Sequence, residues 1–167
     1  MRRLLTSFWR ERTFLGWLAG LRIYVGYCLL TFGWQKLTGG FLDFTRRQPA
    51  LQGMLSGWAA HMPPGWYHDF LVRMALPHHH LLAYLVVYGE LLAGAALVAG
   101  LCTRLAALAA LIMNINYLFA TGWLGPTNRG YNQSFIAIEL ALFFAAAGRA
   151  LGLDVFLYRR WPKGLLW

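Results

Sequence analysis

Four long apolar runs constrain this chain more than any other feature: residues 14–35, 81–101, 105–123 and 131–147. A helix needs about 20 mostly apolar residues to cross bilayer hydrocarbon, with about 17 as the lower limit, and every run meets that length. Backbone amides in hydrocarbon must bond within their own segment, and Ala- and Leu-rich runs without strand alternation do so as helices rather than as a barrel. Composition agrees. With 59% hydrophobic and 13% charged residues among 167, a soluble domain would lack the charge to cover its surface. The expected fold is an all-α integral membrane protein, a single domain over residues 1–167 built as a four-transmembrane-helix bundle. The first run follows the basic start MRRLLTSFWRER, but it exceeds a signal core, contains Arg22 and ends in WQKLTGG instead of a small-residue cleavage site. It is therefore expected to stay as the first helix.

Basic residues orient the bundle. Arg2, Arg3, Arg10 and Arg12 precede the first run, Arg104 sits in the turn between the second and third, and Arg149, Arg159, Arg160 and Lys163 follow the fourth. Four crossings place all of these on one side, which the positive-inside rule makes cytoplasmic, against Lys36, Arg46, Arg47, Arg73 and Arg129 opposite. Both termini are then cytoplasmic and residues 38–80 form a long external loop between helices 1 and 2, in a multi-pass protein of a prokaryotic plasma membrane. The net charge of +9 reads as topology and contact with anionic membrane lipid, and no nucleic-acid motif accompanies it. Trp58, Trp66, Tyr67 and Phe70 in the outer segment read as headgroup-level anchors. The segment is too long for a plain connection, which makes it a candidate docking or substrate surface.

No haem, flavin or metal site is visible. All five histidines, His61, His68, His78, His79 and His80, fall in the outer segment, whereas a bis-histidine haem needs ligands on facing helices. The HHH tract has no ligand spacing and reads as an interfacial helix start. Cys28 and Cys102 differ in depth and form no CxxC, so two reduced, packed thiols are expected.

The informative residues are the polar ones inside the apolar runs: Arg22 in the first, Glu90 in the second, Asn114 and Asn116 in the third, Glu139 in the fourth, with Lys36 at the outer end of the first. Counted from the run boundaries, Arg22, Glu90 and Glu139 come out near mid-membrane. An ionisable group there costs at least ~2.5–3.5 kcal/mol and should face the interior with a partner. One cation and two carboxylates do not balance. The expectation is Arg22 paired with one carboxylate and the other protonated or hydrogen-bonded to an amide or tyrosine. Asn114 and Asn116 point to nearly opposite faces, so only one looks inward. Gly26, Gly33, Gly89 and Gly94 allow close helix contacts.

The pieces LRIYVGYCLLTFGWQKLTGGF, YLVVYGELLAGAALVAGLCTRLAALAALIMNINYLFA and GRALGLD resemble the DoxX/DoxD family of small four-helix membrane proteins. The GWxKLTGGF ending of the first piece is most similar to the DoxD branch, the small membrane subunit of thiosulfate:quinone oxidoreductase. The resemblance implies a membrane subunit of a quinone-linked oxidoreductase, with thiosulfate oxidised to tetrathionate, quinone as the electron acceptor and a DoxA-like large subunit as partner. It implies Glu90 and Glu139 as proton-handling, catalytic residues. Arg22, Trp34, Lys36, Tyr88 and Asn114 would hold the quinone, and Arg149 and Asp154 would organise the cytoplasmic terminus. Two other classes fit the same residues: a non-catalytic anchor or assembly partner of a redox complex, and a small transporter of an organic or sulfur-containing anion. Whether the chain forms a homo-oligomer stays open.

Overall fold

The computed structural model describes residues 13–45, 49–145, 147–149 and 151–161. Arg2, Arg3, Arg10, Arg12, Arg46, Arg47 and Lys163, used above for orientation, lie outside the described residues. Seven α-helices and no strands are found among the described residues: α1 (Thr13–Thr38), α2 (Ala50–His61), α3 (Trp66–Phe70), α4 (His79–Ala99), α5 (Thr103–Thr121), α6 (Pro126–Ala145) and α7 (Asp154–Arg160). Among the described residues, His79–Ala99 and Thr103–Leu124 are long and apolar enough to cross a membrane.

The four long helices pack as neighbours α1 on α4, α4 on α5 and α5 on α6, with α6 touching α1. Each presents a narrow seam. On α4 the buried residues Ala83, Val87, Glu90, Gly94 and Leu97 recur at spacings of three and four, and on α6 Asn132, Phe135, Glu139 and Leu142 do the same. Helices α1 and α4 meet through glycine. A Cβ on Gly26 would lie 2.8 Å from Gly94 O and Val98 N, and one on Gly94 would lie 2.8 Å from Gly26 O and Leu30 N. Only glycine lets the two backbones come this close.

Helix α6 starts at Pro126, ahead of the apolar run that predicts it. Proline at the first helical position is preorganised, since its missing N–H would be unpaired there in any case. Helix α4 begins at the histidine tract, with His78 just before it, as expected for a helix start.

Residues 38–78 are not an extended loop. Helix α2, helix α3 and one π turn, Leu71–Ala75, fold over the ends of α4 and α5. Their buried Leu51, Leu55, Tyr67, Leu71 and Ala75 form a core cluster with Phe41, Ala83, Val87 and Ala120. Tyr67 is thus a core residue and not a headgroup anchor: its hydroxyl donates to Asn116 Oδ1 at 2.8 Å and to Asn116 O at 3.1 Å. Burial pushes its phenol up to about 12. A second cluster, of Val25, Leu29, Ala93, Leu97, Ala106, Ala107, Ala110, Phe135, Leu142 and Ala147, fills the other half of the bundle.

That other half is closed by the C-terminal residues. Asp154, fully buried, accepts from the backbone N–H groups of Cys102 (2.6 Å, Oδ1) and Thr103 (2.9 Å, Oδ2). It thereby caps the unpaired amides at the start of α5. Its own N–H donates to Gly100 O at 2.8 Å, which ties the segment after α6 to the α4–α5 turn. Gly100 adopts a left-handed conformation (φ 65°), and a side chain there would run into Arg22 and Gly152. Cys28 and Cys102 are both free.

Candidate functional site

Between the two apolar clusters lies a polar layer. On α4 Glu90 sits between Val87 of one cluster and Ala93 of the other; on α5 Asn114 and Tyr117 sit between Ala110 and Ala120. A glycine makes the layer possible. A Cβ at Gly33 would lie 3.2 Å from Glu90 Cβ, so α1 approaches α4 closely here. Lys36, three residues further along α1 and hence on a neighbouring face, carries its ammonium to Glu90.

Lys36 Nζ bonds and ion-pairs with Glu90 Oε1. Tyr117 OH donates to the same oxygen at 2.7 Å, and Lys36 Nζ lies 3.4 Å from Tyr117 OH. The Glu90 side chain is 1% exposed and that of Lys36 23%. Glu90 Oε2 is buried without a protein partner. The second carboxylate is held separately: Asn114 Nδ2 donates to Glu139 Oε1 at 2.6 Å, and Glu139 Oε2 is likewise unpartnered. Asn114 and Tyr117 are one turn apart on α5, so the two carboxylates are served from one helix face.

These contacts correct the expected ion pair. Arg22 is fully buried but pairs with neither Glu90 nor Glu139; its Nη2 donates to Leu151 O at 3.0 Å, beside Gly100 and Gly152. The physical reason is register. Gly100 ends α4, ten residues or roughly 15 Å along the helix from Glu90, and α1 runs antiparallel to it with Arg22 level with that end. The cation at the carboxylate is instead Lys36, at the far end of α1. The expectation that one carboxylate bonds to an amide or tyrosine holds for both: Glu139 to Asn114, Glu90 to Tyr117. Of the two asparagines, Asn114 is buried and Asn116 exposed, as their opposed faces require. Trp34 and Tyr88 are exposed at 60% and 47%, with Tyr88 stacked on Tyr84, and neither reaches the polar layer.

Above Lys36 and Tyr117 lies a cavity of about 260 Å³. Its walls are almost wholly apolar, among them Leu55, Trp58, Leu71, Val86 and Met113, and its polar groups are Lys36, Tyr117, Asn116 and Tyr67. Glu90 does not line it and is bonded to two residues that do, Lys36 and Tyr117. Tyr117, absent from the sequence-derived candidates, carries a signal in the sequence: it is one turn from Asn114 in the NINYLFA stretch. Among the described residues no three His, Cys, Asp or Glu side chains converge as a metal-binding group.

The fold and the site together define an all-helical membrane protein with a charged layer beneath a roofed apolar cavity. The DoxX family model matches residues 17–123, more than half of the chain. The chain belongs to the DoxX family, whose members are membrane-associated. No solved structure matches it.

Proposed function

We propose that this protein is the quinone-reactive membrane subunit of an oxidoreductase that oxidises thiosulfate to tetrathionate. It would cross a prokaryotic plasma membrane four times through α1, α4, α5 and α6, with both termini in the cytoplasm and residues 38–78 outside. The observation that carries this reading is the apolar cavity floored by Lys36 and Tyr117, with a buried carboxylate directly behind them. A quinone ring needs an apolar slot, a hydrogen-bond donor at a carbonyl oxygen and a proton source, and these residues provide all three.

Two thiosulfate ions yield one tetrathionate and two electrons; the quinone takes up those two electrons and two protons to become the quinol. A partner subunit of the DoxA type would bring the electrons. In this chain, Lys36 has three N–H donors, spends one on Glu90 and directs a second at Tyr117 OH, so the third can hold a ring oxygen and supply a proton as negative charge grows there. Glu90 places Tyr117 and the ammonium and balances the ammonium's charge, so the proton-handling role expected of Glu90 passes to Lys36 in this reading. Glu139 with Asn114 is a second buried carboxyl behind this pair.

The test is thiosulfate-dependent reduction of a quinone analogue by the protein with its co-purifying partner. Glu90→Gln and Tyr117→Phe should fold and lose most of the turnover, by about 10²-fold or more for a proton-transfer role. Full turnover in a folded Glu90→Gln protein would refute the role of the layer. Absence of both activity and co-bound quinone would favour a membrane anchor.

A further inference from the structure

The cavity opens at the protein surface, and apolar side chains line the opening. Of the residues that line it, the strongly exposed apolar ones are Leu85 on α4 (58%), Ile112 on α5 (56%), Met54 on α2 (42%) and Phe70 on α3 (36%). Leu85 and Ile112 lie outside the packed seams of the two helices apolar enough to cross a membrane. Phe41, Leu51, Leu55 and Tyr67, all buried, line the rest of the wall on the α2–α3 side. A polar substrate arriving from water would therefore meet a largely apolar lining, whereas one dissolved in a bilayer would meet an apolar opening between α4 and α5.

Volume and charge narrow the occupant. At about 260 Å³ the cavity is at the small end of ligand sites, roughly 300–1,000 Å³. It has room for a substituted ring and not for a long chain, so the tail of a lipid-borne ligand must stay in the mouth or in the hydrocarbon. The Lys36 ammonium is already neutralised by Glu90. An anionic head such as a fatty-acid carboxylate would bring a second negative charge next to a buried one, while a neutral carbonyl oxygen can take the remaining N–H of Lys36 without that penalty.

We infer that the cavity is a lateral, membrane-side port. It admits the ring of a long-tailed, uncharged quinone between α4 and α5 under the α2–α3 roof, leaving the isoprenoid tail against Leu85 and Ile112. This deepens the quinone reading above and rests on it.

The experiment uses the full chain in liposomes with a polyisoprenoid quinone carrying a diazirine on its first isoprenoid unit, followed by peptide mapping. Crosslinks at Leu85, Ile112 or Met54, competed by unlabelled quinone and not by oleate, are the expected result. Specific crosslinks elsewhere, for instance near Pro126 and Arg129, overturn the port but leave quinone binding intact. Competition by oleate overturns the neutral-head assignment, and the lack of any competed crosslink overturns both the port and the quinone reading. As a second arm, Ile112→Trp should weaken the long-tailed quinone at least about ten-fold more than a tail-less ring analogue. Equal weakening of the two would show that the tail does not pass the mouth.

Discussion

Replacing Lys36 by methionine shortens the side chain by one atom and removes the only cation bonded to Glu90 among the described residues. The structure makes the effects of the two partners unequal. Glu90 is 1% exposed and cannot turn to water, whereas Lys36 is 23% exposed and borders a cavity. Removing one side of a buried pair typically costs about 3–5 kcal/mol when the survivor is an uncompensated charge, and Lys36→Met should fall in that range. Glu90→Gln keeps an oxygen for Tyr117 and Lys36 and leaves a lysine that can move into the cavity, so about 1–2 kcal/mol is expected. The double variant holds no stranded charge. It should cost little more than Glu90→Gln alone, a coupling of about 3–4 kcal/mol in the double-mutant cycle, most of the Lys36→Met cost. Unfolding in mixed micelles, followed with a thiol-reactive dye at the free Cys28 and Cys102, measures all four proteins. Single costs that simply add, or a Glu90→Gln protein less stable than Lys36→Met, would refute the pairing.

Gly26→Ala would place a methyl 2.8 Å from the backbone of α4 and should cost about 1–3 kcal/mol, whereas Gly20→Ala, with nothing within 4 Å, should gain up to about 1 kcal/mol; thermal unfolding separates them. Asp154→Ala removes the acceptors of two helix-start amides and should cost about 1–2 kcal/mol, with faster hydrogen exchange at Cys102 and Thr103. The Tyr67 phenol, pushed up to about 12 from about 10, binds its proton more tightly folded than unfolded. Its contribution to stability should be complete below pH ~10 and be lost as pH rises towards ~12, read as the phenolate absorbance difference between the native and Tyr67→Phe proteins. Ala120→Leu, which fills part of the cavity, should raise the stability of the ligand-free protein by about 0.5–2 kcal/mol and abolish stabilisation by a quinone analogue.

Apolar run length located the four long helices to within a few residues because a continuous hydrophobic stretch and a helix are the same object in hydrocarbon. The start of α6 escaped it: PTNRGYNQS is polar, and only Pro126 marks a helix there. The outer segment contained a legible signal that run length ignores. Leu51, Met54, Leu55 and Trp58 recur at helical spacing in ALQGMLSGWAAH, the pattern of an amphipathic helix too short to span. That Glu90 needs a buried partner was legible from its setting. Which cation reaches it was not, because hydropathy gives no relative height of α1 and α4, and a lysine's flexible stem spans a full helical turn. The glycines that set this height, Gly26 and Gly94, are visible in sequence only as small residues. Their pairing is a property of the packed helices.

A buried ion pair can exist solely to fix how helices align, and the space beside this one weighs against that reading. A pocket of about 260 Å³ forgoes the van der Waals contacts that larger side chains on its walls would make, at a cost in stability. Larger side chains at Ala75 or Ala120, both on the cavity wall, would remove much of that cost without touching Lys36, Glu90 or Tyr117. A register pin gains nothing from small residues there. A binding site requires them, because the volume they leave has to be filled by something that can also leave. The same small residues leave the Lys36 ammonium and the Tyr117 phenol on the cavity wall, while Glu90 behind them is not part of it. The layer thus sets the one spare N–H of Lys36 on the cavity wall and keeps the negative charge that holds the ammonium off that wall.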